Sequence, residues 1–231
     1  MPSRYIEISD RIREDIVSGK FAGGERLKLA ELASLYSTSH MPIREALRIL
    51  NGQGIVEFIP NSGMRVREID MDFMTDLFDV RLALEAIQAR RAAERLMPAA
   101  ADAISAAKAE FERVSGGNDR DATLKANHRF HRAISLASGN HEAGEIEERH
   151  YQILRIVWRR FGYGSERLEG VIEDHRLLTS AILDQDVEAA GLIAAAHVTR
   201  ARLNLAANME KAENVSHLGP DREQIANNGK T

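Results

Sequence analysis

The chain reads as mainly α-helical in two parts, a small N-terminal unit of three helices with a β-hairpin and then an all-α antiparallel bundle. Apolar residues recur at a helical period over most of the 231 residues, whereas period-two alternation is confined to a short stretch before residue 70. Glycines and prolines cut the periodic stretches into ordinary helix lengths. The expected division is 1–70 for the first unit and 71–212 for the bundle. Residues 213–231 lose periodicity around Gly219, Pro220 and Gly229, and are expected to form a disordered tail.

Ile8, Ile12, Ile16 and Val17 predict a first helix over 7–17 that ends at Gly19. Gly23-Gly24 makes a turn before a second helix over 29–35, and Ser37-Thr38-Ser39 separates it from a third over 41–51. Ile43, Ala46, Leu47 and Leu50 line one face of that third helix, with Ser39 suited to its N-cap and Pro42 tolerated in its first turn. After Gly54, Ile55-Val56-Glu57-Phe58-Ile59 and Met64-Arg65-Val66-Arg67 flank Pro60-Asn61-Ser62-Gly63 as a hairpin. Helix, helix-turn-helix and hairpin in this order make a winged helix, whose third helix enters a DNA major groove while the hairpin lies along the backbone or minor groove.

From Met71 onward strand signals vanish. Alanine-rich amphipathic helices are expected over 72–96, 99–114, 120–138, 142–161, 166–183 and 187–210, separated by Pro98, Gly116-Gly117, Gly139-Asn140 and Gly162-Tyr163-Gly164. An antiparallel bundle is the natural way to bury their stripes.

Composition excludes several classes. With 44% hydrophobic and 29% charged residues the chain suits a soluble globular protein. No run is long and apolar enough to span a membrane and the start lacks an export signal, so a cytoplasmic location is expected. The absence of cysteine rules out disulfides and zinc fingers, and limits any metal site to nitrogen and oxygen ligands. The formal net charge of −4 is unfavourable for binding phosphate, but residues 1–69 carry ten Lys and Arg against nine Asp and Glu, so the acidic excess lies downstream.

The run Ser39-His40-Met41-Pro42-Ile43-Arg44-Glu45-Ala46-Leu47, with Gly24-Glu25-Arg26-Leu27 before it and Gly54-Ile55-Val56 and Asn61-Ser62-Gly63 after it, resembles the GntR family of bacterial transcription factors. The resemblance implies a homodimer on a palindromic double-stranded DNA operator. It implies contacts to bases and phosphates from Ser39, His40, Met41, Arg44 and Arg48, and wing contacts from Ser62, Gly63 and Arg65. His40 and Met41 stand where the family commonly has Arg-Thr, and Ala30 where some relatives carry a contacting arginine. A neutral imidazole cannot make an arginine's bidentate guanine contact, so a different operator half-site is expected. Arg67 reads either as a further phosphate contact or as a solvated strand end.

Three histidines of the bundle sit on apolar stripes: His131 with Leu124 and Ile134, His175 with Ile172, Leu178 and Ile182, and His197 with Ala190, Ala194 and Leu205. A lone imidazole in such a stripe is commonly a hydrogen-bonded core residue. Three in one bundle each need a partner. Asn127 lies one helical turn before His131 and offers a carbonyl oxygen to the same point. The four make a nitrogen-rich site suited to a divalent metal ion, Zn²⁺ first and Ni²⁺ or a similar ion next. His128 is a second-choice ligand. His141-Glu142 begins like a zinc-protease helix but has Glu145 where the second histidine belongs, and Trp158 reads as core or dimer interface first and as aromatic lining of an effector pocket second.

Asn127-x-x-Phe130-His131, Glu173-Asp174-His175-Arg176 and the run from Asp186 to His197 resemble the FCD effector domain of FadR-like GntR regulators. The resemblance implies metal ligands at Asn127, His131, His175 and His197, with Asn127 in place of the usual Asp. It also implies that Arg81 holds the carboxylate of a small organic acid effector. On the residues alone, Arg81 and Glu85 are an i,i+4 pair that is either a solvated salt bridge or turned inward between Leu77 and Leu84. A ligand-responsive repressor is the expected function, with the helix after Ile69 as the lever. The alternatives are a metal-dependent hydrolase, against which no acid or base stands out near the ligands, and a helical protein stapled by a structural metal.

Overall fold

The computed structural model describes residues 4–161 and 165–217. Nine helices and one hairpin are described, in the order α1 (Arg4–Val17), α2 (Leu29–Leu35), α3 (His40–Gly52), β1 (Val56–Ile59), β2 (Gly63–Val66), α4 (Met71–Glu94), α5 (Pro98–Ser115), α6 (Arg120–Ser138), α7 (His141–Phe161), α8 (Ser165–Leu183) and α9 (Val187–His217). The winged helix expected before residue 70 and the all-α bundle expected after it are both present.

In the winged helix, Ile8, Ile12 and Ile16 of α1 meet Leu32 of α2 and Ile43, Leu47 and Leu50 of α3 in one core, which Ile55 and Val66 close from the hairpin. Each fully buried aliphatic side chain of this kind contributes about 1.5–3 kcal/mol. The strands pair antiparallel from Val56 opposite Val66 to Ile59 opposite Gly63. Gly63, at φ +84°, takes a conformation at the wing tip that side chains resist. Ser39 occupies the N-cap position of α3, but its side chain makes no capping bond, which corrects the capping role expected of it. Its backbone is extended there, as an N-cap requires, so position and not hydroxyl chemistry starts the helix.

The bundle helices begin and end where their capping residues dictate. Asp70 accepts a hydrogen bond from the Phe73 amide at 2.8 Å, and Asp119 accepts one from the Ala122 amide at 3.0 Å. Pro98 starts α5, and Gly139 ends α6 in the left-handed region. One apolar core joins Phe78 of α4, Leu154 and Trp158 of α7 and Leu205 of α9; a second joins Ala89 and Ala92 of α4, Phe130 and Ile134 of α6, Ile182 of α8 and Ala194 of α9. α9 continues to His217, past the expected start of the tail at 213, because nothing from Lys211 onward breaks a helix until the Gly219-Pro220 pair. Residues 218–231 of that expected tail lie outside the described residues, as do the breakers 162–164.

Helix α7 faces both parts of the chain. Its Ile156 packs on the winged-helix core while its Leu154 and Trp158 enter the bundle core. Arg155 and Arg159 of α7 hold the Glu14 carboxylate of α1 at 3.1 and 2.8 Å. Among the described residues no helix is long and apolar enough to cross a membrane.

Candidate functional site: a cluster of three imidazoles beside a cavity

His131 of α6, His175 of α8 and His197 of α9 converge in the bundle, with one nitrogen of each lying within 4.8 Å of the others. Helical periodicity brings them there: each sits on the buried stripe of its own helix, and the three stripes meet. His175 is fully enclosed, stacked on Phe130 at 4.0 Å between ring centroids and lying 4.6 Å from Phe111. Neither of its ring nitrogens has a hydrogen-bond partner, and His131 Nε2 also has none. A buried polar atom without a partner costs about 1–3 kcal/mol, so the cluster is unfavourable as it stands. Imidazole nitrogens turned toward one point, in a chain with no cysteine, are a donor set that fits a divalent ion such as Zn²⁺.

The outward nitrogens have carboxylate partners. His131 Nδ1 lies 3.3 Å from Glu85 Oε2, and His197 Nδ1 lies 3.0 Å from Asp174 Oδ2. Such carboxylates fix the tautomer and aim the other nitrogen inward. Asp174 is held in turn by Arg200, whose Nε donates at 3.2 Å, and by Arg167 at 3.4 Å. Burial alone would raise the Asp174 carboxyl; its bonds from His197 and Arg200 bring it down to about 2. Burial pushes His197 down to about 4 against the pull of Asp174, and pushes His175 well below the usual imidazole range. Both rings are therefore neutral at pH 7, as metal binding requires.

Beside the cluster lies a cavity of about 50 Å³, lined among others by Arg81, Asn127, His131, Glu147, Tyr151 and Trp158. Arg81 and Glu85 pair inside the protein, with side chains only 8% and 7% exposed, so the solvated reading of that pair is set aside. The Arg81 guanidinium also lies 5.2 Å from the Phe78 ring and 5.8 Å from that of Trp158, and its Nη1 has no hydrogen-bond partner. Trp158 is thus core and cavity wall at once. Burial would raise the Glu85 carboxyl, but Arg81 first and then His131 hold it well below the carboxylate range. Asn127 is buried on the cavity wall, whereas His128 stacks on Tyr151 at 3.5 Å and bonds Glu148 at 3.0 Å, outside the three-imidazole cluster.

On the winged helix, Ser39, His40, Met41 and Arg44 are exposed at the start of α3, with Arg48 exposed one turn further on. Arg48 pairs with Glu45 at 3.3 Å, while Arg44 has no ion-pair partner among the described residues. Ser62 and Gly63 form the wing tip, and Arg65 is bound to Glu57 at 2.7 Å. Arg67 is not a solvated strand end. Its Nε donates to the Gly54 carbonyl at 2.6 Å and its guanidinium lies 5.1 Å from the Phe73 ring, tying the wing to α4.

Sequence reasoning named Glu85 only as the partner of Arg81 and Asp174 only within a motif, without linking either to the imidazoles, and it missed Glu147. Asp174 adjoins a ligand candidate and was findable on that ground. Glu147 had no signal, since it reaches the cavity only through the packing of α7 on α6.

Comparison with known proteins bears on both halves. Residues 4–66 match the bacterial regulatory proteins of the gntR family, and residues 76–200 match the FCD domain. The chain is 28% identical over 195 residues to the HTH-type transcriptional repressor GlaR of Escherichia coli, covering 81% of this chain and 89% of the relative. It is 27% identical over 198 residues to the galactonate operon transcriptional repressor of Escherichia coli, covering 77% and 86%. Among solved structures, E. coli McbR/YncC superposes with a TM-score of 0.71 at 20% identity, over 92% of this chain and all of the other, a likeness of fold. With a winged helix that matches one family model and a bundle that matches the other, the chain belongs to the gntR family of bacterial regulatory proteins, as a member that carries an FCD domain and regulates transcription rather than catalysing a reaction.

Proposed function

We propose that the chain is a cytoplasmic, ligand-responsive transcriptional repressor that binds a palindromic operator as a homodimer. Residues 1–70 carry the DNA contacts, from Ser39, His40, Met41, Arg44 and Arg48 on α3 and from Ser62, Gly63 and Arg65 on the wing. Residues 71–212 hold a divalent ion, Zn²⁺ foremost, on His131, His175 and His197, with Asn127 as the fourth protein ligand. A small carboxylate binds beside it on Arg81. The ion supplies a positive, Lewis-acidic point for one carboxylate oxygen; Arg81 supplies the charge-assisted donor Nη1, which Glu85 leaves unpartnered.

One observation carries this reading: the residues that bear the unpartnered Nε2 of His131 and the unpartnered Nη1 of Arg81 line one small cavity, with the unpartnered ring of His175 buried 5.2 Å from that of His131. Cations and donors that lack partners inside a protein are what an anionic ligand relieves. The name of the galactonate operon repressor, which points to a sugar acid, is in keeping with a carboxylate effector.

Coupling to DNA must come from unequal binding of the acid to two arrangements of the molecule. α4, the lever expected from the sequence, carries Arg81 and Glu85. α7 is the second route, since Glu147, Tyr151 and Trp158 line the cavity while Arg155 and Arg159 grip α1.

The test is a thermal-shift screen of mono- and dicarboxylates and sugar acids, on Zn²⁺-loaded and on chelated protein. Stabilisation by an acid that appears only with the ion present is the expected result. An ion that raises Tm by itself while no acid adds to it would overturn the effector reading in favour of a structural metal.

A further inference from the structure

Three donors compete for one oxygen behind the imidazole cluster. Asp174 Oδ2 accepts from His197 Nδ1 at 3.0 Å, from Arg200 Nε at 3.2 Å and from Arg167 Nη1 at 3.4 Å, while Arg200 Nη2 donates to Oδ1. The bond from His197 matters to an ion on the far side of the ring, because a carboxylate behind an imidazole makes the opposite nitrogen a stronger ligand. Each guanidinium that shares the oxygen draws on the same negative charge and weakens that support.

The two arginines have different tasks. Arg167 is buried, and its Nη2 also donates to the backbone carbonyl of His197 at 3.4 Å, so it steadies the stretch of α9 that carries the ring. Arg200 lies three residues beyond His197 with its side chain 48% exposed, and its Nε and Nη2 both go to Asp174. Removing it leaves the buried carboxylate with His197 and Arg167 still in place.

The charges around the cluster do not balance. Among the groups bonded to the imidazoles or to their carboxylate partners, the guanidiniums of Arg81, Arg167 and Arg200 face the carboxylates of Glu85 and Asp174. Asn127 brings no charge, and Glu147 keeps its proton at neutral pH because burial and Glu85 push its carboxyl up to about 8. A divalent cation entering the cluster therefore meets an excess of positive charge.

We propose that Arg200 is a positioning residue that holds down the affinity of the cluster for its ion, by dividing Asp174 between itself and His197, so that the ion can be exchanged. This rests on the cluster being a divalent-metal site. Arg200 acts through Asp174 and not as a ligand.

The experiment measures Zn²⁺ affinity at pH 7.0 by competition with a chromophoric chelator, and Zn²⁺ release into excess EDTA, for wild type, Arg200→Met, Arg200→Lys and Asp174→Asn. Arg200→Met should bind Zn²⁺ about three- to tenfold more tightly and release it more slowly, and the gain should shrink as salt rises from about 0.05 to about 0.5 M, because a half-exposed charge is screened. Arg200→Lys, which returns a charge and a donor to the carboxylate, should fall back toward wild type. Asp174→Asn should lose about tenfold or more in affinity. The melting temperature of chelated Arg200→Met reports separately on the fold. Unchanged or weaker Zn²⁺ binding by Arg200→Met, or a gain that Arg200→Lys does not reverse, would overturn the inference and leave Arg200 a strut for Asp174 while the metal site stands. If wild type takes up no Zn²⁺, the metal reading fails and takes the inference with it.

Discussion

Replacing Arg81 by methionine probes the charge that organises the cavity. The Arg81 and Glu85 side chains are 8% and 7% exposed, and among the described residues the only other group bonded to Glu85 is His131 Nδ1 at 3.3 Å. Methionine fills much of the space but leaves a buried carboxylate with an imidazole for company. Removing one partner of a buried pair costs about 3–5 kcal/mol. Protonation of Glu85 or His131 limits the loss, which places the expected value near the lower end, at about 3 kcal/mol. Loss of the contacts to Phe78 and Trp158 works in the same direction, by about 0.5–1 kcal/mol each. The double variant Arg81→Met/Glu85→Gln removes both charges and leaves an amide oxygen for His131. It should regain all but about 1 kcal/mol, since a buried pair is worth little relative to a neutral replacement. Urea unfolding of chelated protein at pH 7.5, followed by circular dichroism with a common m-value, measures all three. A single variant that loses less than about 1 kcal/mol, or a double variant no more stable than the single, would refute the buried-pair reasoning.

Three further outcomes are expected. Arg44→Ala should weaken operator binding and lower the slope of log affinity against log salt by about one, measured by fluorescence anisotropy; unchanged affinity and slope would remove Arg44 from the phosphate contacts. In chelated protein, His197 and His150, both pushed down to about 4, and the more depressed His175 each take up a proton on unfolding below about pH 6.5, while Glu147, pushed up to about 8 by burial and by Glu85, releases one. Stability should therefore peak near pH 6.5, falling by about 2–3 kcal/mol per unit on the acid side, where the histidine contributions are lost, and by about 1 on the alkaline side, where Glu147 ionises; a flat profile in urea titrations from pH 5 to 8 would contradict this. Glu14→Gln, which frees two arginines of a partly exposed cluster, should change stability by less than about 1 kcal/mol. Yet it should alter by several-fold the effect of a stabilising acid on operator affinity, and an unaltered effect would clear the α1–α7 contact of any part in coupling.

The parts of the molecule that were legible in the sequence are those specified locally. Helix α6 could be bounded at Arg120 and Ser138 because Asp119 and Gly139 act through their own backbone neighbours. The imidazole cluster was legible because a histidine repeats the period of the stripe it occupies. The carboxylates that aim those rings were not, since Glu85 and Arg81 obey an i,i+4 spacing common to exposed and buried pairs alike. Gln88 and Ser135, 47 residues apart, become partners only when α4 meets α6. Ser39 illustrates the opposite limit: a residue type that suits a cap does not choose the rotamer that makes one.

Asp174 and His175 are consecutive on α8, and they face different tasks. One orients His197 of α9, the other is itself part of the cluster, so α8 and α9 together bear two of the imidazoles. The third, His131, stands on α6, where Glu85 links it to α4. An ion among them would act as a rivet through three helices. Its loss would loosen their hold on one another, and any shift of α4 would reach the wing that Arg67 ties to Phe73.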